Sequence, residues 1–336
     1  MSRPGERRAG YPLLAIAGPT ASGKSALALY LATLLDGEVI NYDSVQIYRG
    51  LDIGSGKLRI EERLPAPHHL LDVLEPHQTM TAGHFRRLAL EALEGIRERG
   101  KLPILVGGAG FYLRSLLDGL FEGPTRSEVL RSRLRKMEAR RGKQFLHALL
   151  SRMDPAAASR IHPHDAQKVI RAAEVCLLAG KPISALHSAG MPTLEGFRIL
   201  KAGLNPDRAE LLRRIDQRVE SMFDSGLLRE VGSVLAQYGS SIEDSGPLNA
   251  LGYRQARRVL RGEMSLSEAR LDTQAATRRY AKRQMTWFRR EPGVTWFKGF
   301  GDDPPVRSQV AAWMRHMLSA GETGTGPARA AERNRR

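Results

Sequence analysis

Residues 13–25, Leu-Leu-Ala-Ile-Ala-Gly-Pro-Thr-Ala-Ser-Gly-Lys-Ser, constrain the fold more than any other stretch. A short apolar run, Leu13 to Ala17, leads into Gly18-Pro19-Thr20-Ala21-Ser22-Gly23-Lys24-Ser25, and an apolar helical pattern follows from Ala26. A G-x-x-x-x-G-K-[ST] loop between a strand and a helix is a phosphate cradle. Gly18 and Gly23 let the backbone curl until its N–H groups face one anion, and Lys24 adds a full charge. The Ser25 hydroxyl suits a magnesium ion. The helix lends its positive end. The loop says that phosphates bind, not which phosphates.

The chain has 336 residues, 42% of them apolar, enough for one large or two ordinary domains. Lysine and arginine number 52 against 36 acids, a formal net charge of +16. That excess favours a polyanionic partner, either nucleic acid or an anionic membrane surface. No run of about 18 apolar residues occurs, so no membrane-spanning segment is expected. Residues 1–11 read as a disordered tail, basic but without the apolar centre of a secretion signal. Cys176 is the only cysteine, which excludes an internal disulfide or a cysteine-rich zinc site and fits a reducing, cytoplasmic setting.

The first helix is expected from Lys24 to Leu35, and Val39 and Ile40 suggest a second strand. Asp43 would then stand just past that strand, on the sheet edge where α/β proteins bind ligands. It is a candidate base or metal ligand; a side chain that caps the next turn is the plain alternative. Residues 49–80 read as loops over the site. Within them Pro67-His68-His69-Leu70 invites a metal reading. Adjacent histidines share no helix face, however, and no third ligand follows, so packing or loop hydrogen bonds are expected. Thr81 is expected to cap a helix to Glu98, and Leu102–Val106 to form a buried parallel strand. That strand ends in Gly107-Gly108-Ala109-Gly110, not in the aspartate with which many NTPases hold magnesium.

Composition shifts near residue 123. Arg131, Arg133, Arg135, Lys136, Arg140 and Arg141 crowd one helical stretch, and a second helix is expected after Asp165. Residues 123–195 read as a helical insertion with a basic face, for RNA or DNA contact or as an ordinary solvated surface. Strand pattern resumes at Glu195–Gly203, so the core domain is discontinuous, 12–122 with 196–318. A helix from Pro206 to Met222 carries Arg208, Arg213, Arg214 and Arg218, all candidate anion ligands. Ser265-Leu-Ser-Glu268 is a capping box. It opens a helix in which Arg278, Arg279, Lys282 and Arg283 surround Tyr280, a crowd of charge that an anion would relieve. Basic residues among aromatics suit RNA, whereas Trp287 and Phe288 are expected in the core. A last extended segment at Val294–Phe297, a helix at Pro305–Leu318 and a disordered tail over 319–336 complete the expectation.

Taken together these stretches resemble the tRNA dimethylallyltransferases, also called isopentenyl-diphosphate:tRNA transferases. The resemblance runs from about Leu13 to Phe297. It rests on the phosphate loop, Asp43-Ser-Val-Gln-Ile-Tyr-Arg49, Asp52-Ile-Gly54, Pro67-His-His-Leu70, Val106-Gly-Gly-Ala-Gly-Phe-Tyr112, Gly252-Tyr253-Arg254 and Ala281-Lys-Arg-Gln-Met-Thr-Trp287. It implies an α/β fold, a P-loop-type parallel sheet flanked by helices, with an all-helical insertion that grips the anticodon stem-loop. It implies transfer of a dimethylallyl group from dimethylallyl diphosphate to N6 of adenine 37 in tRNA, by a monomer, with Mg2+ assisting. In that frame Asp43 matches the general base, Thr20 a hydroxyl that contacts the diphosphate, and Arg218 the arginine that binds it. Gly18 to Ser25 form the diphosphate site, with Ser25 toward the metal. The tRNA contacts fall on Asp43, Ser44, Val45, Gln46, Ala109, Gln167, Lys168, Arg171, Asn249, Gly252, Tyr253, Arg254, Arg279, Lys282 and Arg283. Ala109 replaces the family's usual threonine, Asn249 and Lys168 stand for common arginines, and His164 for asparagine.

Three other functions share some of these features. A prenyltransferase for free adenosine nucleotides would lack the insertion. A small-molecule kinase would need a further acid for magnesium. A nucleic-acid-binding NTPase would give Asp43 no chemical role.

Overall fold

The computed structural model describes residues 10–121, 123–188, 193–242 and 246–322. Most of both expected tails lies outside the described residues. Where the tails enter them the chain is regular. The first strand, Tyr11–Ala17 (β1), begins two residues ahead of its apolar run, because Tyr11 and Pro12 pair with a neighbouring strand. The last helix reaches Glu322, past the expected stop at Leu318.

After β1 come Lys24–Leu34 (α1), Gly37–Asn41 (β2), Ile60–Arg63 (α2), His68–His69 (β3), Ala82–Glu98 (α3), Leu102–Val106 (β4) and Gly110–Leu117 (α4). A helical run follows: Glu128–Arg141 (α5), Lys143–Met153 (α6), Pro155–Ala158 (α7), Ala166–Ala179 (α8) and Ile183–Ser188 (α9). The chain then returns to Phe197–Asn205 (β5), Arg208–Asp224 (α10), Leu227–Tyr238 (α11), Tyr253–Leu260 (α12), Leu266–Phe288 (α13), Val294–Lys298 (β6) and Pro304–Glu322 (α14). It divides into two compact units, 1–115 with 195–336, and Leu116–Leu194.

The first unit is built on one six-stranded sheet in the order β3-β2-β4-β1-β5-β6, every pair parallel. The apolar strands β1 and β4 lie at its centre, as strands covered on both faces do, and β2 beside them is buried along its whole length. Leu14, Ile16, Leu27, Leu31, Ile104, Leu204, Val310 and Met314 interlock as its core, each wholly buried. Burying each such side chain contributes about 1.5–3 kcal/mol. Register places the site: Ile16 and Asn41 both pair with Val106, so Gly18, Asp43 and Gly107 emerge side by side at the carboxyl edge.

The loop histidines pack, as their spacing suggested. His68 Nδ1 lies 2.8 Å from the Ala66 carbonyl, and His69 Nε2 lies 2.6 Å from Glu38. Arg99 grips the same buried Glu38 in two-pronged fashion and holds its carboxyl below the usual range. The caps expected at Thr81 and Ser265 both form, and Asp165 caps the helix expected after it. The cation crowd on α13 is relieved in part from within the protein: Asp216 on α10 binds the Arg278 guanidinium, and Arg283 lies over the Tyr280 ring.

The second unit, beginning seven residues before the expected 123, has its own core of Leu134, Leu146, Leu150, Val169, Ile170 and Val175. At its centre Glu174 is fully buried. Burial alone would raise its carboxyl, but bonds from Arg131, Arg171 and the Ser127 N–H hold it at about 2. No described helix is long and apolar enough to cross a membrane.

Candidate active site

The phosphate loop curls because three residues take left-handed or unusual backbone angles: Gly18 (φ 147°), Ala21 (φ 62°) and Gly23 (φ 80°). Ala21 does so despite its Cβ, a strain of about 1–2 kcal/mol that marks functional loops. Gly23 has a second constraint. A Cβ there would meet the backbone nitrogens of Gly301 and Asp302 at 2.9 and 2.8 Å. That segment braces the loop from behind, Gly301 N–H donating to the Ser22 carbonyl at 2.8 Å.

The loop opens on a cavity of about 530 Å3 that also holds Asp43, Gln46, Ser55, Gly56, Gly107, Gly108, Arg214, Arg218, Tyr280, Gln284 and Asp302. Thr20, Ala21, Ser22, Gly23, Lys24 and Ser25 all line it, with Pro19 and Gly18 behind them. Asp43 forms the turn cap with one carboxylate oxygen and leaves the other free. Its Oδ1 accepts N–H bonds from Val45 (2.9 Å) and Gln46 (3.4 Å), which caps the turn. Its Oδ2 points the other way, toward Gly108, and has no hydrogen-bond partner among the described residues.

Two cations face that carboxylate. Burial pushes the Lys24 ammonium down to about 7, opposed by Asp43 and reinforced by Arg218. Its Nζ donates to the Pro19 carbonyl at 2.6 Å. Burial likewise lowers Arg218, whose only described bond runs to the Ser55 carbonyl at 3.3 Å. Among the described residues neither cation has a carboxylate within ion-pair distance. Two desolvated basic side chains without acidic partners, beside the phosphate loop, favour an anion of several charges. The Ser25 hydroxyl also lines the cavity without a partner among the described residues, which leaves it open as a metal ligand.

Of the arginines on α10, Arg218 and Arg214 reach the cavity, one helical turn apart. Arg214 is already engaged by Asp302 at 2.7 Å and stacks 3.6 Å from the Phe300 ring. Arg213 pairs with Glu210, and Arg208 is exposed.

The residues expected at tRNA divide into distinct groups. Gln46 lines the cavity and donates to the Ser55 and Gly56 carbonyls; Ser44 is exposed and Val45 half-buried. Ala109 donates its N–H to the Tyr42 carbonyl, a backbone bond that needs no hydroxyl. Arg254, Arg279, Lys282 and Arg283 are exposed. Tyr253, by contrast, is wholly buried. Its hydroxyl donates to Glu230 at 2.8 Å and accepts from Ser55 N–H at 3.0 Å, so it holds a loop and offers no face to RNA. Gly252 is buried with φ 84°, and Asn249 accepts from Arg257. In the helical unit Gln167 is exposed and Lys168 is exposed but paired with Asp165. Arg171 is committed to Glu174 and the Pro124 carbonyl.

Gln284 and Asp302 line the cavity and were missed by sequence reasoning, and Tyr280, picked out only as an aromatic among cations, lines it too. Tyr280 and Gln284 share one face of α13 at helical spacing, a signal available in the sequence. Nothing local marks Asp302.

A model of the IPP transferase family matches residues 46–291. The chain belongs to that family. It is 54% identical over 294 residues to the tRNA dimethylallyltransferase of Koribacter versatilis, covering 88% of this chain and 95% of that one. It is 51% identical over 296 residues to the tRNA dimethylallyltransferase of Solibacter usitatus, again 88% and 95%. Among solved structures it resembles the tRNA isopentenylpyrophosphate transferase of Bacillus halodurans, with 37% identity, a TM-score of 0.68 and coverage of 93% and 98%. It also resembles a eukaryotic dimethylallyltransferase acting on tRNA, with 25% identity, a TM-score of 0.79 and coverage of 95% and 81%.

Proposed function

We propose that this chain transfers a dimethylallyl group from dimethylallyl diphosphate to N6 of adenine 37 in tRNA, releasing diphosphate and giving N6-dimethylallyladenosine. The observation that carries the reading is the cavity itself, which Asp43, with its Oδ2 uncommitted, lines together with the phosphate loop, Lys24 and Arg218. The donor's diphosphate lies in the loop against Lys24 and Arg218. An exocyclic adenine amine is a weak nucleophile, so Asp43 Oδ2 takes one of its protons as the new N–C bond forms. The allylic C–O bond breaks, its electron pair leaving with the diphosphate. The negative charge that grows there meets loop amides and two cations already in place, which lowers the barrier without reorganisation.

Magnesium fits this site in one manner. Among the described residues no cluster of three His, Cys, Asp or Glu side chains could hold the ion alone. Ser25 would be its protein ligand, with diphosphate oxygens and water completing the shell. Bound there, it would add charge neutralisation to the leaving group. The target base leaves its stack to reach the cavity. We assign the grip on the anticodon stem-loop to the exposed cations of the helical unit and to Arg254, Arg279, Lys282 and Arg283.

The test is mass spectrometry of tRNA incubated with dimethylallyl diphosphate and the protein. One C5H8 unit gained at position 37 is the expected result. Product on AMP or ADP with none on tRNA refutes the reading.

A further inference from the structure

Gln284 joins two parts of the site that lie far from it in sequence. Its Oε1 accepts the Thr20 N–H at 2.7 Å, and its Nε2 donates to the Gly108 carbonyl at 3.0 Å. The residue is 5% exposed. Tyr280, one turn earlier, donates its hydroxyl to the same carbonyl at 3.3 Å. Burial, helped by the Asp43 charge, raises that hydroxyl's pKa and keeps it a donor. Gly108 is held without slack. A Cβ there would lie 2.5 Å from Gln284 Nε2, 3.1 Å from Asp43 Oδ2 and 3.3 Å from the Tyr280 oxygen.

We propose that Gln284 is a positioning residue that sets the span between the diphosphate loop and the general base. The inference rests on the transfer reaction proposed above. One end of the amide fixes the Thr20 peptide and so holds that residue in the cavity wall. The other end fixes Gly108, the surface against which the free oxygen of Asp43 rests. The amide performs both tasks at neutral pH, one end accepting from an N–H while the other donates to a carbonyl, which a carboxylate, an ammonium or an apolar side chain cannot do. Misplacing reacting groups by about 1 Å is enough to cost about a hundredfold in rate.

Gln284→Glu makes this testable. At about pH 8.5 the carboxylate still accepts from Thr20 but repels the Gly108 carbonyl, with Asp43 close behind. Protonated at lower pH, the acid donates to Gly108 and restores both bonds. The groups that set its titration are Tyr280 on its own helix and Asp43 beyond Gly108, with Lys24 and Arg218 acting on Asp43 in turn. The assay is single-turnover transfer at saturating donor and tRNA from about pH 6 to about pH 8.5, with the folded fraction followed by circular dichroism. The expected loss at the alkaline end is about tenfold or more, and the ratio of variant to wild type recovers by about fivefold at the acid end. A ratio that is flat with pH, or that simply follows the folded fraction, overturns the proposal.

Gln284→Met, equal in length and unable to make either bond, gives a second arm. It is expected to lose about tenfold in rate at every pH and to expose the Thr20 amide to faster hydrogen exchange. Wild-type rate in that variant overturns the proposal. Should the wild-type chain transfer nothing to tRNA, the proposed reaction fails. The Thr20 amide then decides alone: exchange unchanged in Gln284→Met refutes the brace, and accelerated exchange upholds it.

Discussion

Donor binding should draw a proton from solution, and Lys24 sets the pH at which it does. Burial brings the Lys24 ammonium from an ordinary 10.5 to about 7, so at pH 8 the empty site holds mostly neutral amine. A diphosphate oxygen at ion-pair distance interacts with an ammonium by about 4 kcal/mol at an effective dielectric of about 20. That equals about three pKa units, enough to return Lys24 to about 10 in the complex. The sign follows from these two values. Below about pH 7 the ammonium is present before binding, and this group gives affinity no pH dependence. Between about 7 and about 10 the complex holds a proton that the free site lacks, so affinity falls as pH rises, by up to about tenfold per unit. Titration calorimetry of dimethylallyl diphosphate without tRNA, in two buffers of different ionisation enthalpy, counts the proton. Uptake of about 0.5 at pH 7, rising toward about 1 at pH 8.5, is expected, with Kd about 30- to 100-fold weaker at pH 9 than at pH 7. Lys24→Met should bind weakly and without this slope. Uptake near zero at pH 8, or a slope that persists in Lys24→Met, refutes the reasoning.

Asp43→Asn keeps an oxygen for the Val45 and Gln46 amides but removes the base. Transfer should fall by about a thousandfold, with tRNA affinity within about threefold of wild type in a filter-binding assay. Tyr253→Phe strands Ser55 N–H and one bond of Glu230, so it should cost about 1–3 kcal/mol in urea unfolding. Its tRNA affinity should not change, because the ring reaches no surface. The Glu174 carboxyl, held at about 2, contributes stability that is fully present above about pH 4.5 and lost as pH falls through about 2. Hydrogen exchange across Leu116–Leu194 should therefore accelerate in that window, and Glu174→Gln should show the acceleration already at pH 7, by the equivalent of about 3 kcal/mol.

The sheet was legible because its signals are local. Five apolar residues before a glycine-rich loop read as β1, and Leu102–Val106 read as β4 residue for residue. Asp43 could be picked out because strand ends are where such sheets bind ligands. Partner choice was not legible. Arg171 and Arg279 look alike in sequence, yet one is spent on a buried glutamate and the other faces solvent. Tyr253 sits in a motif suggestive of contact, but Glu230 claims its hydroxyl from a separate helix. Arg214 and Arg218 lie one turn apart, yet Asp302, 88 residues from Arg214, engages only the former. Gln284 lies 264 residues from Thr20, and no periodicity carries that distance.

The position of β1 in the middle of the sheet has a consequence for how the protein is made. One of its flanks is closed by β4, but the other waits for β5, whose Phe197 pairs with Tyr11. Gln284 and the Gly301–Asp302 brace arrive later still. A chain emerging from the ribosome therefore carries its phosphate cradle first and completes it almost last. The helical unit, with a core drawn from its own residues, is free to fold in the interval. Termination after the helical unit but before the Gly301–Asp302 brace would leave a nascent protein with an ordered middle and an unfinished phosphate cradle.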